Sequence, residues 1–278
     1  MFFFRFLSIL PLKLLYVLSD LLYLVIRYGF QYRVTVARIN LQNSFPDKSE
    51  AEIEKILNNF YRNLSDLIIE AIKLLTITKS ELNRRVSVKN LDVVLNHFQK
   101  GTSMILAAPH QFNWEWMVTS GRSHTGYSFT SVYRPLKSDF FNRLMIAVRT
   151  RFNGKLITNK ELIEDLQSHS EVSAYSMVMD QLSSKHHYWT TFLNQDTVFD
   201  TSIDYLAKLS QLPVIYPKLK RLKRGYYSIE LITLGEPPYD QKTDLLDKFI
   251  HEIELSIREQ PETWLWTHRR WKYEKPSG

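Results

Sequence analysis

No cysteine occurs in the sequence. That excludes a disulfide scaffold and thiolate metal sites, and it suits a reducing compartment. No Gly-x-Ser-x-Gly elbow occurs either, so neither a thiol nor an elbow serine is on hand to carry a covalent intermediate. Internal repeats, low-complexity tracts and interdomain linkers are missing as well. One large domain with a helical attachment fits 278 residues better than two independent units. The apolar N-terminus lacks a small-residue cleavage site, so it is not read as a removed signal peptide.

What is present is apolar and basic. Hydrophobic residues make up 44% of the chain, enough for a sizeable core, and the formal net charge is +7. A basic balance points to an anionic partner such as a membrane surface or an acidic protein. No nucleic-acid recognition motif accompanies the charge, so nucleic acid is not expected. The chain carries six Trp, several beside basic residues, as in Trp264-Leu-Trp266-Thr-His268-Arg269-Arg270-Trp271-Lys272. That composition suits a membrane–water interface. The basic run Lys218 to Arg224 (KLKRLKR) reads either as a solvated connection between strands or as a landing site for an acidic carrier protein or anionic membrane.

Met1 to Phe30 is densely apolar but interrupted by Arg5, Pro11, Lys13 and Asp20. A spanning helix needs roughly 20 apolar residues, so residues 1–30 are expected to anchor the chain, across the bilayer or in its interface. Arg27, Arg33 and Arg38 follow the segment against Arg5 before it, which places the body on the cytoplasmic side by the positive-inside rule. Ser49 and Glu52 form a capping box ahead of a helix running to about Leu75, and a second helix covers Leu91 to Gln99 with Gly101 behind it. From Met104 onward, strands (Met104–Ala108, Tyr127–Tyr133, Phe152–Ile157, Val172–Met179, Pro213–Tyr216, Tyr226–Leu234) alternate with helices (Asp139–Arg151, Asn159–Ser168, Asp204–Leu209, Leu245–Arg258). The alternation predicts an α/β fold with a largely parallel sheet flanked by helices, residues 31–278 forming one domain with a helical portion over 31–100.

The apolar run Met104–Ala108 delivers Pro109-His110-Gln111-Phe112-Asn113-Trp114-Glu115 to a strand's carboxyl end, where ligands of α/β sheets gather. Residues five apart on a helix point about 140° apart. His110 and Glu115 therefore meet only if His110 lies in the loop and Glu115 in the first helical turn, with Asn113 as N-cap. So arranged, Glu115 would hold one imidazole nitrogen and make the other a base for a hydroxyl proton. The same residues also fit a plainer use, a strand-end histidine satisfying the backbone beside a solvated glutamate. A zinc reading finds no second His near His110, and a polar loop explains His186-His187 equally well.

HQFNWE (His110 to Glu115) resembles the His-x4-Asp/Glu motif of the lysophospholipid acyltransferase superfamily, and the chain is similar to its branch of late acyltransferases of lipid A biosynthesis. Further segments resemble that branch in order: Asn40-Leu41 followed by Phe45-Pro46, Val132-Tyr133-Arg134-Pro135, Arg149-Thr-Arg151, Asp180-Gln181 and Trp266-Thr-His268-Arg269-Arg270-Trp271-Lys272. The Pro-Glu-Gly of glycerolipid members is replaced by Asp180-Gln181, and the branch's Phe-Phe-Gly by Phe192-Leu193-Asn194, so the acyl or acceptor pocket is expected to differ. The resemblance implies a glycerolipid acyltransferase-like fold and transfer of an acyl group from an acyl-carrier-protein thioester, with no cofactor. The acceptor would be a hydroxyl of a lipid A-type glycolipid at the cytoplasmic face of a bacterial inner membrane. It implies His110 as general base oriented by Glu115, backbone N–H donors of the helix starting over Asn113 to Glu115, and substrate contacts from Arg149, Asp180, Arg134 and Asn113. Arg149 would clamp a phosphate or hold Glu115 in a fork-shaped ion pair, while Arg151 is assigned to a basic surface. Arg134 reads as a second phosphate contact or a turn residue. A monomer is expected. Other acceptors (an aminolipid, a mannoside-type glycolipid, a polyene), a non-catalytic membrane-binding role and a metal-dependent lipid hydrolase are the rival readings.

Overall fold

A computed structural model describes residues 2–168, 171–181 and 187–275. The apolar N-terminus forms two helices rather than one, α1 (Phe2–Ile9) and α2 (Leu12–Leu24), bent by 120°. Pro11 accounts for the break, since it lacks an N–H and disfavours helical backbone in the residue before it. No single helix among the described residues is long and apolar enough to cross a membrane. The segment is docked on the domain: Leu12 and Leu15 are in the core, Ser19 donates to Asp66, and Lys73 donates to the carbonyls of Ser8 and Leu10. Its outer side stays bare, with Phe2 88% and Phe30 81% exposed.

A π-helical turn (Val25–Gly29) leads to α3 (Val34–Ser44), α4 (Glu50–Lys73) and α5 (Lys79–Arg85). The Ser49–Glu52 capping box opens α4 as the sequence predicts. β1 (Val86–Lys89), which the sequence did not suggest, precedes α6 (Asp92–Gln99), β2 (Met104–Ala108), α7 (Trp114–Thr125), β3 (Ser128–Tyr133) and α8 (Asp139–Arg149). Then come β4 (Lys155–Thr158), α9 (Leu162–Ser168), β5 (Ser173–Val178), β6 (His187–Phe192), β7 (Gln195–Asp200) and α10 (Ser202–Ser210), and finally β8 (Val214–Lys223), β9 (Tyr226–Gly235) and α11 (Leu245–Glu259). β4 starts later than expected because Phe152 and Asn153 take left-handed φ of 55° and 62° and turn the chain first.

Among the described residues the main sheet has seven strands in the order β1-β9-β8-β2-β5-β3-β4, and every pairing except β8–β9 is parallel. The α/β fold with a largely parallel sheet is thus present. Successive strand residues face opposite sides. Ala107, Tyr175, Met177 and Tyr216 pack towards α3, α4, α10 and α11, whereas Leu106, Ala108, Ala174 and Ile215 pack towards α5, α6, α7 and α8. β6 and β7 form a separate hairpin turned by Leu193 and Asn194 at φ 49° and 64°, the conformation a two-residue hairpin loop requires. Of the departures from Phe-Phe-Gly, Leu193 is fully buried beside Phe192 whereas Asn194 is exposed at the tip of the turn.

Two surface assignments are corrected. KLKRLKR is not a connection but the end of β8 and the start of its turn, and its charges are mostly paired: Lys218 and Lys220 with Glu259, Arg221 and Arg224 with buried Asp66. Trp264 and Trp266 are buried at 1% and 0% exposure, inside the core instead of at a membrane interface. Each buries a large ring and finds a partner for its N–H, which is what an interior Trp requires.

Candidate active site

The β2–β5 register pairs Ala108 with Val178. His110 and Asp180 lie two residues farther along each strand, so the two chains leave the sheet side by side and bring them together. Asp180 Oδ1 is 2.6 Å from His110 Nδ1, and Oδ2 accepts from the His110 backbone N–H at 3.0 Å and from Trp264 Nε1 at 2.9 Å. Burial alone would raise the Asp180 carboxyl; the adjacent imidazole and these donors outweigh it and hold the group below the usual aspartate range. The opposite nitrogen, Nε2 of His110, has no partner among the described residues, and the side chain is 23% exposed.

Glu115 does sit in the first turn of α7, behind Asn113 as N-cap, with Asn113 Oδ1 accepting from the Trp116 N–H at 3.1 Å. It does not hold the imidazole. Its two oxygens are taken by Arg149, Nε at 3.0 Å and Nη2 at 2.6 Å, and Oε1 also accepts from Trp114 Nε1 at 3.0 Å. The expected His110–Glu115 pairing is therefore replaced by His110–Asp180 and Glu115–Arg149. The reason is angular. Glu115 projects from a helix on the α8 side of the sheet, whereas Asp180 leaves the neighbouring strand at the height of His110. Trp114 stands between the pairs, its ring 5.3 Å from that of His110 in an edge-to-face contact.

Arg149 makes a bidentate fork of the kind that gives carboxylates fixed geometry. Burial would lower its guanidinium, and Glu115 reverses this and raises it above its ordinary value. Nη1 of Arg149 has no partner among the described residues. Arg151, assigned to a basic surface, instead turns inward and donates to the carbonyls of Leu75 and Ile77 beyond α4. Arg134 is exposed between β3 and α8 and joins neither pair. His187 opens β6, and His186 lies outside the described residues.

Sequence reasoning missed four residues that shape this region. The sequence suggests an interfacial Trp264, whereas the Gln111↔Trp264 bridge and the Phe112 N–H bond to Thr263 show that its segment straps across the site loop. Trp114 carries no signal in the sequence beyond its place between Asn113 and Glu115. Arg122, 2% exposed in α7, donates to the carbonyls of Phe129, Arg149 and Lys155 and so ties β3, the end of α8 and β4 together. Glu70 accepts from Asn113 Nδ2 at 2.8 Å. Beyond Trp264, burial pushes His268 down to about 4 and Arg270 down to about 10. A cavity of about 280 Å³ opens at the carboxyl end of β5, lined by Leu162, Met177, Met179, Gln181, Asp200 and Leu206 among others.

The family model described as bacterial lipid A biosynthesis acyltransferase matches residues 1–273. A lipid A biosynthesis acyltransferase of Haemophilus influenzae is 23% identical over 273 residues, covering 95% of this chain and 84% of its own length. The lipid A biosynthesis palmitoleoyltransferase of Escherichia coli K12 is 26% identical over 251 residues, 86% of this chain and 79% of its own. The lauroyltransferase of the same organism is 24% identical over 252 residues, 88% and 81% respectively. The family match runs through both strand ends, the α7–α8 ion pair and the Trp264 strap, so the chain belongs to the bacterial lipid A biosynthesis acyltransferase family and is an acyltransferase.

Proposed function

We propose that the protein transfers a fatty acyl chain from an acyl-carrier-protein thioester to a hydroxyl of a lipid A-type glycolipid precursor. The observation that carries the mechanism is the 2.6 Å contact between His110 Nδ1 and Asp180. With Asp180 ionised, this contact favours the proton on Nδ1 and leaves the Nε2 lone pair for the acceptor hydroxyl, the arrangement a histidine base needs. Nε2 takes the hydroxyl proton as the oxygen attacks the thioester carbonyl. Asp180 stabilises the resulting imidazolium. The tetrahedral intermediate collapses, the C–S bond breaks, and the imidazolium proton goes to the departing thiolate. The Trp114 and Glu115 N–H groups, first in α7 and without intrahelical acceptors, suit the oxyanion. Glu115 holds Arg149 by two nitrogens, leaving Nη1 for a substrate phosphate.

The exposed apolar side of α1 and α2 supports work at a membrane, in this reading the cytoplasmic face of a bacterial inner membrane. The cavity at the end of β5 offers apolar walls from Leu162, Met177 and Leu206 to an acyl chain, with polar Asn159, Gln181 and Asp200 also in its lining. Purified His110→Ala is expected to keep the native fold and to lose transfer of labelled acyl chains from carrier protein to lipid by about 10³-fold or more. Turnover at the native rate would refute the mechanism. Mass spectrometry of lipid from a deletion strain tests the acceptor: lipid A one acyl chain short is expected, and an unchanged lipid A overturns that part.

A further inference from the structure

Glu70, in the last turn of α4, is completely buried and stands outside the reacting pairs. Its Oε1 accepts from Tyr16 Oη of α2 at 2.7 Å. Its Oε2 accepts from Tyr227 Oη of β9 at 2.6 Å and from Asn113 Nδ2 at 2.8 Å. Its backbone carbonyl accepts from Trp116 Nε1 at 2.8 Å. A buried carboxylate with no cationic partner among the described residues costs folding energy unless donors compensate it. Burial raises this carboxyl, and the three donors oppose that rise. Two of the four contacts go to residues 113 and 116, the cap and first turn of the site helix.

The contact with Asn113 fixes a direction. Asn113 presents Nδ2 to Glu70 and Oδ1 to the Trp116 N–H. Rotating the amide by half a turn would set Nδ2 against that N–H and Oδ1 against the carboxylate, wrong on both sides. The acceptor on α4 thus decides which way the cap points. Asn113 lies three residues after His110 and two before Glu115, so the cap's orientation sets the path between them. We propose that Glu70 is a positioning residue for acyl transfer: by fixing the Asn113 amide it places His110 and Glu115, and through Tyr16 it ties the N-terminal helices to the same point. This rests on the reading of His110 as the base.

Exchanging donor and acceptor tests it. Asn113→Asp sets a second carboxylate against Glu70 and is expected to lower kcat about 100-fold with KM little changed, the effect of a small misplacement of reacting groups. The loss should ease as pH falls and the facing carboxyls share a proton. Glu70→Gln alone should lower kcat about tenfold, because the amide either faces the Asn113 NH2 with its own or keeps its oxygen there only by turning its NH2 against the Tyr16 hydroxyl, which must then cease to donate. Combining the two substitutions restores a donor opposite an acceptor and should bring kcat back to within about tenfold of native. A purely structural role predicts no such recovery, only the product of two losses tracking the melting temperature. A folded double variant with no recovery, or Glu70→Gln with native kcat, overturns the proposal. If Asn113→Asp does not fold, Glu70→Gln decides alone: reduced kcat at unchanged KM supports it. His110→Ala run in parallel separates the outcomes. Native activity there refutes the base itself, whereas its loss beside an indifferent Glu70→Gln refutes only the positioning role.

Discussion

Asp180→Asn is the substitution that discriminates most sharply, because it changes one atom and little volume. The carboxylate accepts three bonds, two of them on Oδ2 from the His110 N–H and Trp264 Nε1 and one on Oδ1 from the imidazole. An amide can keep its oxygen on the pair of N–H donors only by turning its NH2 towards Nδ1. Nδ1 must then accept, the ring proton moves to Nε2, and the nitrogen proposed to take the hydroxyl proton already carries one. The reverse orientation faces an NH2 with two N–H donors. Each charged hydrogen bond is worth about 1.5–3 kcal/mol against about 1 for a neutral one, so folding should weaken by about 1–3 kcal/mol, tolerable for a chain of this size. The rate should suffer far more, by about 10⁴-fold, as expected for a histidine held in the wrong tautomer. The assay is single-turnover transfer from labelled acyl carrier protein, with thiol release followed in parallel and circular dichroism as a check on folding. A folded variant within about tenfold of the native rate would refute the argument that Asp180 sets the tautomer.

Two further perturbations probe the scaffold. A methyl group added at Gly154 would lie 1.4 Å from Arg122 Nη1 and 2.5 Å from the Arg149 carbonyl oxygen, so Gly154→Ala should destabilise by about 1–3 kcal/mol and shift Arg149, raising KM as well as lowering the melting temperature; an unchanged melting curve would contradict this. His268 is pushed by burial from its usual 6.5 to about 4. The unfolded chain therefore binds this proton from about pH 6.5 downward while the folded chain binds it only near 4, and stability falls as pH drops through that window. The loss is bounded by about 3 kcal/mol, and less where solvent screens the ring. Melting temperatures of His268→Gln between pH 7 and 4 should show a shallower slope than native, and identical slopes would contradict it.

Much of the architecture was legible because it was written locally. The Ser49–Glu52 box, the apolar run of β2 and the Asn113 cap each depend on neighbours within a few residues. What failed was non-local. Whether Glu115 or Asp180 meets His110 depends on the β2–β5 register, 70 residues apart, which no periodicity encodes. The Trp264 ring looked interfacial because composition records neighbours in sequence, and its burial depends on a strap that closes over Gln111. Arg151 looked superficial for the same reason, its carbonyl partners lying at residues 75 and 77. The signal for this pairing that the sequence does carry is positional. Two polar residues each stand just beyond an apolar strand, and adjacent strands in a parallel sheet would set them side by side.

The Trp264 contact to Asp180 bears on the order in which the chain becomes competent during synthesis. His110 leaves the ribosome long before the strand that brings Asp180, and the strap that clasps both comes some 84 residues later still. Until residue 180 is made the histidine has no acid partner, and from there to residue 264 the loop around the pair is still unclosed. If His110 is the base as proposed, the nascent chain holds the full set of contacts around it only once residue 264 is in place. Truncated products that stop short of residue 264 should therefore be inert towards thioesters.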